Sequence, residues 1–318
     1  MEYNENEYEY KYNQLHDPVM LEEAISNLNI KPNGIYIDMT TGLGGHSIEI
    51  AKRLDKGKLI CIDRDNEALK IAEVRLKEYG GKIDFVNDNF KNVKTIIEEK
   101  GIEKISGALG DFGLSGLQIA SDRGFSYMEN SPIQMTMDKS QNFTAAVFIN
   151  TFAEDKIRKA LFEYGDERFS GQIAREIVKK RTEKPIETTL ELVDIIKYAL
   201  RGIKYEGGHV AKRTFQAIRC YVNQEMENIE PAIEAAVQKL ESGGRLITIS
   251  FQSGEDRTVK NIFKKLENPC ECSSDLPCVC GKKATVKIIT KKPIYPSDWE
   301  KSKNPRAHSA RMRVLEKL

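Results

Sequence analysis

Hydrophobic positions along this chain follow two rhythms. Between Ile35 and Leu109, short apolar runs alternate with stretches whose apolar residues recur at helical spacing. The runs Ile35–Ile37, Leu59–Asp63, Lys82–Val86 and Ile105–Leu109 predict strands. Helices are predicted over Ser47–Leu54, Asn66–Tyr79 and Val93–Lys100, with a shorter one carrying Val19, Leu21, Ala24 and Ile25 ahead of the first strand. Strand alternating with helix predicts an α/β fold with a parallel sheet covered on both faces.

From about Leu117 to Gly208 the rhythm changes to helix only, over 144–150, 154–164, 170–181 and 190–200. The stretch reads as a helical insertion, residues 117–208. It divides a sheet domain made of 16–116 and 209–318, and leaves 1–15 as an acidic arm without fixed structure. After a long helix over 212–240, interrupted near Pro231, the sheet resumes at Arg245–Phe251. Ala284–Thr290 and Ala310–Glu316 then supply a final antiparallel pair.

Candidate chemistry gathers where strands end. The first strand runs through Asp38 into Gly42-Leu43-Gly44-Gly45-His46, and the second stops at Asp63. Glycines let a backbone approach a ligand closely, and an acid after the second strand can accept both hydroxyls of a ribose. A dinucleotide fingerprint needs a third glycine for the pyrophosphate-bearing helix, and that glycine is missing here. Asp38 would repel a diphosphate but could hold a cationic amino group. The turn therefore fits S-adenosylmethionine better than NAD. Phe90 after the third strand, placed to stack on adenine or cap the core, and Asp111 after the fourth fall on the same predicted edge.

Composition narrows the class. With 40% hydrophobic and 31% charged residues among 318, the chain has enough apolar content for a core, and a net charge of +1 announces no global attraction to nucleic acid. Lys and Arg are concentrated near the C-terminus, where they could serve an RNA backbone or a solvated face. No apolar run reaches membrane-span length and the polar N-terminus does not read as a signal peptide, so a cytoplasmic protein is expected. Cys61 and Cys220 read as small core residues. Cys270, Cys272, Cys278 and Cys280 could hold a structural zinc, yet Cys-x-Cys is not the usual knuckle and alternate residues of an extended chain point apart. No metal is assigned.

Taken together, Gly44-Gly45-His46-Ser47, Ile62-Asp63-Arg64-Asp65, Asn89-Phe90, Asp111-Phe112-Gly113-Leu114-Ser115, Arg123-Gly124-Phe125-Ser126, Arg213-Thr214-Phe215-Gln216-Ala217 and Asn304-Pro305-Arg306 resemble the RsmH (MraW) family, from His16 to the C-terminus. The resemblance implies a class I (Rossmann-like) methyltransferase sheet with an inserted helical domain. It also implies methyl transfer from S-adenosylmethionine to the exocyclic N4 of a cytidine in small-subunit ribosomal RNA. Its cofactor positions match Gly44, Gly45, His46, Asp63, Phe90, Asp111 and Gln118, and its insertion is thought to help recognise RNA. The expected partner is small-subunit rRNA; a homodimer is left open.

Departures fall elsewhere. Where the family reads Leu-Asp-Met-Arg-Met-Asp this chain has Ile133-Gln134-Met135-Thr136-Met137-Asp138, and Phe-His-Ser-Leu-Glu becomes Phe251-Gln252-Ser253-Gly254-Glu255. Val210 replaces a proline and His308 an arginine. These changes raise the alternatives of a diverged paralogue with another nucleic-acid target, or a non-catalytic RNA-binding protein. For catalysis, Asp111, Ser253 and Glu255 are the candidates to hold the amine or receive its proton; acids opening a helix would serve its dipole equally. Phe125, Arg213, Phe215, Arg219 and Arg306 are the candidates for RNA, with core packing the alternative for Phe215.

Overall fold

The computed structural model describes residues 18–205, 208–272 and 279–318. The acidic arm and Cys278 lie outside the described residues. The chain divides into two compact units, one running through Ser115 and again over Met226–Leu318, the other Gly116–Glu225.

In the first unit, α1 (Leu21–Leu28) leads into β1 (Ile35–Asp38), α2 (Gly45–Arg53), β2 (Lys58–Asp63), α3 (Asn66–Arg75), β3 (Ile83–Asn87), α4 (Val93–Glu99) and β4 (Ile105–Phe112). A single sheet of seven strands has the order β3-β2-β1-β4-β5-β7-β6, with β5 (Leu240–Ser250), β6 (Val286–Ile288) and β7 (Arg311–Lys317) completing it. The first five in space are parallel; β7 pairs antiparallel with both β5 and β6.

Alternation along the strands decides the layers. Ile37, Ile60 and Ile62 point to one face, where α4, α11 (Glu225–Lys239) and α12 (Ser253–Glu267) supply Ile96, Ile97, Ile233, Val259 and Phe263. Tyr36, Leu59 and Cys61 point to the other, packed with Leu28 of α1, Ile50 and Ala51 of α2 and Ala72 of α3. Burial on both faces is why these strands read as continuous apolar runs.

The second unit is helical: α5 (Gly116–Ile119), α6 (Ala145–Thr151), α7 (Glu154–Gly165), α8 (Ser170–Arg181), α9 (Thr189–Ala199) and α10 (Lys212–Asn223). Its end differs from the boundary expected at 208. Helix α10 packs within this unit: Tyr221 lies against Phe148, tilted by 33° with ring centroids 4.4 Å apart, and a Cβ at Gly165 would lie 2.5 Å from the Arg213 carbonyl oxygen. Periodicity shows that α10 is amphipathic but not which layer its apolar face joins. The long helix also breaks elsewhere than expected. Gln224, at φ 53°, separates α10 from α11, whereas Pro231 sits inside α11.

Candidate active site

Three buried or half-buried carboxylates stand at the C-terminal ends of neighbouring parallel strands: Asp38 closes β1, Asp63 closes β2 and Asp111 lies one residue before the end of β4. This is the rim where open α/β sheets take their ligands. Local bonding fixes each acid. Asp38 Oδ2 accepts from the Ser47 hydroxyl at 2.6 Å, and its Oδ1 from the Thr40 N–H at 3.2 Å. Asp63 Oδ2 accepts from the Gly42 N–H at 2.7 Å, and its Oδ1 from the Asp65 N–H at 2.8 Å, so the second strand's acid ties down the glycine turn. The Asp111 N–H donates to Thr40 Oγ1 at 2.6 Å, while Asp111 Oδ1 is buried with no hydrogen-bond partner among the described residues.

These acids are electrostatically strained. Burial pushes Asp38 and Asp63 up to about 6. Asp111 is pushed up to about 8, first by burial, then by the Asp38 and Glu255 carboxylates, with the Arg306 guanidinium pulling the other way. Burial in turn lowers Arg306 from its ordinary value. A rim holding more buried negative charge than nearby positive charge suits a cationic ligand, and the orphan Asp111 oxygen is an acceptor waiting for a donor. The residues present thus fit a cofactor with an ammonium and a sulfonium.

The turn's glycines have separate reasons. Gly44 is in the left-handed region at φ 81°, where a side chain is strained, and a Cβ at Gly45 would meet Pro18 Cβ at 2.9 Å. His46, in the first turn of α2, is buried, and burial lowers its pKa to about 4. Its ring is neutral, and Nε2 donates to the Val19 carbonyl at 3.1 Å. It anchors the turn and carries no charge to the site.

The other candidates divide. Phe90 packs against the core and lies 5.4 Å, centroid to centroid, from Phe112, as a core cap does. Glu255 is a helix cap: its Oε2 accepts from the Phe251 and Gln252 N–H groups at 2.8 and 3.1 Å, so the capping alternative describes its bonding, while its charge still bears on Asp111. Ser253 opens α12. Its neighbour Gly254 lies against Met226, whose Cε would be 2.8 Å from an added Cβ. Arg306, a candidate for RNA, is half-buried and acts electrostatically on the cofactor-rim acid Asp111.

Gln118, Phe125, Arg213, Phe215 and Arg219 belong to the second unit. Gln118 is buried on α5. Phe125 and Phe215 are 8% and 3% exposed, so both are core residues rather than open stacking platforms. Phe215 meets Tyr127 edge-on, and Tyr127 stacks on His209 at 4.6 Å. Arg219 is held bidentate by Glu225, at 2.8 Å to each oxygen. Arg213 is half-buried, its guanidinium 3.4 Å from the Asp166 carbonyl oxygen. Among the family departures, the Met135–Met137 stretch is pinned by Asn223, which bonds the Met137 N–H at 2.9 Å and the Met135 carbonyl at 2.7 Å. Sequence reading missed Thr40 and Ser47, whose hydroxyls set the acids; their place beside Asp38 was the available signal. Outside the sequence candidates, Lys156, Arg158 and Lys159 line a pocket with Asp155 and Phe162 of α7, and Phe162 is 61% exposed.

A parallel sheet with an antiparallel β7, an acid at each of three successive strand ends and a glycine turn tied to the second acid define a class I, Rossmann-like methyltransferase. The chain belongs to the MraW methylase family, whose model matches residues 13–318. It is 51% identical to ribosomal RNA small subunit methyltransferase H of Clostridium botulinum, covering 95% of this chain and 99% of that one. It is 48% identical to the protein of the same name from Clostridioides difficile, with the same coverage of each. Among solved structures, an rRNA methylase from Streptococcus thermophilus aligns at a TM-score of 0.42 and 13% identity, over 94% of this chain and 95% of that one. Such identity over nearly whole chains favours neither the diverged-paralogue nor the non-catalytic alternative. No described helix is long and apolar enough to cross a membrane.

Proposed function

We propose that this chain methylates the exocyclic N4 of a cytidine in small-subunit ribosomal RNA, with S-adenosylmethionine held on the rim of the sheet unit. The names of its relatives support the substrate. The single structural observation that carries the cofactor assignment is the buried carboxylate set Asp38, Asp63 and Asp111 with its unpartnered Oδ1.

The sulfonium supplies an activated methyl group, so neither a metal nor a covalent nucleophile is needed for transfer. Asp63, already fixed by two amides, retains lone pairs for the ribose hydroxyls. Asp38 and Asp111 favour the cationic end, beside a turn that needs glycine at 44 for its left-handed backbone and at 45 for the approach of Pro18. Glu255 fixes the opening of α12, and burial, with the charges of Asp38 and Glu255, keeps Asp111 basic. Asp111 Oδ1 can take the N4 proton, whose loss follows transfer because the N4 lone pair is delocalised into the ring. Proximity and alignment supply most of the remaining acceleration.

Residues 117–208 with α10 serve RNA recognition in this reading. The surface of α7 that carries Lys156, Arg158, Lys159 and the exposed Phe162 fits the task better than buried Phe125 or Phe215. Basic groups meet phosphates there and an open ring can stack on a splayed base. A ribosomal substrate implies a cytoplasmic location, and a homodimer is compatible with it.

The test is methyl transfer from labelled S-adenosylmethionine to small subunits from a strain without its endogenous family enzyme, with the product nucleoside identified by mass. N4-methylcytidine is expected. Cofactor binding without transfer to any ribosomal RNA would overturn the reading.

A further inference from the structure

Methyl transfer makes no use of the cysteines, and their arrangement is not random. Cys270, Cys272 and Cys280 follow α12 in the stretch 268–285 that leads to β6. All three are thiols, each half-buried, and their Sγ atoms lie within 4.8 Å of one another, with Cys270 and Cys280 at 3.7 Å. Thiolates at about 2.3 Å from a tetrahedral zinc stand about 3.8 Å apart, so this pair is at the spacing of two ligands and the third is within side-chain adjustment of it. A disulfide would need about 2.05 Å.

The sequence objection to Cys-x-Cys assumed an extended chain with alternate side chains pointing apart. Here Cys270 to Cys272 is not part of a strand, and both sulfurs face Cys280. A cation also attends the cluster. Lys282, near enough to act electrostatically on Cys270 and Cys280, pairs with Glu271 at 2.8 Å.

We propose that Cys270, Cys272 and Cys280 bind Zn²⁺ as thiolates and so staple the 268–285 stretch ahead of edge strand β6. Three soft sulfur donors select zinc over magnesium or calcium, and each cysteine releases its proton to solvent on binding. A need for such a staple is visible in the fold. The described part of 268–285 forms no helix or strand and exposes Val279 at 89%, and β6 is three residues long. Cys278 lies outside the described residues, and the proposal stands on the other three.

The experiment uses the full chain, purified without chelator, with metal content read by plasma mass spectrometry. About one zinc per chain is expected. Cys270→Ser, Cys272→Ser and Cys280→Ser should each lose most of it, while Cys220→Ala, altering a buried thiol elsewhere, retains it. Replacement of zinc by cobalt(II) in the unmutated chain needs no variant to fold, and should give the near-ultraviolet thiolate charge-transfer band and strong visible bands of a tetrahedral site. Absence of both zinc and these bands after incubation with either metal under reducing conditions overturns the proposal, as does full retention of zinc in the three serine variants.

Discussion

In the sheet unit, the acids chosen for standing at strand ends occupy the rim and are wired to the turn. In the helical unit, most of the aromatic and arginine positions chosen for RNA are committed to packing or ion pairing. Asp38, Asp63 and Asp111 occupy three adjacent strand ends, whereas Phe125 and Phe215 are core and Arg219 is clamped by Glu225. The difference is one of what places a side chain. A strand end is located by the backbone alternation that the sequence displays, and the sheet topology then gathers such ends along one edge. On a helix, residue type shows that a face exists, but its exposure depends on which other helices cover it.

The sharpest test of that contrast is Phe215→Ala. If the ring is core, truncation costs about 3–5 kcal/mol by thermal or denaturant unfolding, and cofactor affinity of the folded chain is unchanged. Retained stability with lost rRNA binding would reverse the assignment and return Phe215 to the RNA surface. Arg219→Met is a companion: leaving the nearly buried Glu225 unpaired costs about 3 kcal/mol. Adding Glu225→Leu should recover much of that loss, which a direct RNA contact would not allow.

On the sheet side, Asp63→Ala removes the acceptor for the Gly42 and Asp65 N–H groups as well as the ribose. S-adenosylmethionine affinity by calorimetry should fall by about a hundredfold, near 3 kcal/mol, with a smaller loss of stability. A loss of less than tenfold would mean the turn binds without its tether, and the rim would owe little to backbone wiring.

How far the sequence reached follows the same line. The order of strands and helices, the glycine turn and the three acids were legible because apolar runs and strand-end acids are local signals. The end of the helical unit was not, since α10 and α11 form one periodic stretch and the break falls at Gln224, whose left-handed backbone nothing in its residue type demands. Glu255 illustrates a middle case. Its position three residues after Gln252 is a capping signal, and its charge reaches Asp111 only through the packing of α12 against the sheet at β5, β6 and β7. Arg306 could be recognised as important from its motif but not assigned to the acid it faces, because that proximity joins residues far apart in the chain.

Asp111 gives a pH-dependent refinement. Its folded pKa, about 8, lies above the ordinary 3.8, so in the cofactor-free chain its stabilising contribution is full below about 4 and is lost as pH rises through 8. Cofactor affinity should run oppositely, rising over the same window as the carboxylate ionises to meet a cation. Asp111→Asn is then expected to raise the melting temperature of the cofactor-free chain at pH 8 while weakening S-adenosylmethionine about tenfold, near 1.4 kcal/mol, and flattening the pH dependence of binding. Lower stability together with unchanged affinity would show that Asp111 is a structural acid and not part of the cofactor rim.

The smallest expected effect concerns the α7 surface, and it decides whether the helical unit keeps an RNA face once its buried candidates are set aside. Lys156 and Lys159 lie on one pocket wall with Arg158 and Phe162, and Lys159 makes only a 3.7 Å pair with Glu163 at an exposed position, an interaction of little worth. Neither lysine supports the core, so Lys156→Ala/Lys159→Ala should leave unfolding and cofactor binding unchanged. Each lost phosphate contact lowers the salt slope of RNA binding by about one, so the double variant should bind small-subunit rRNA several-fold more weakly at low salt and converge on the unmutated chain as salt rises. Phe162→Ala, by contrast, should weaken binding equally at all salt concentrations, because stacking does not release counterions. A salt slope unchanged by the double lysine variant would remove α7 from the RNA surface and shift the assignment to the half-buried Arg213.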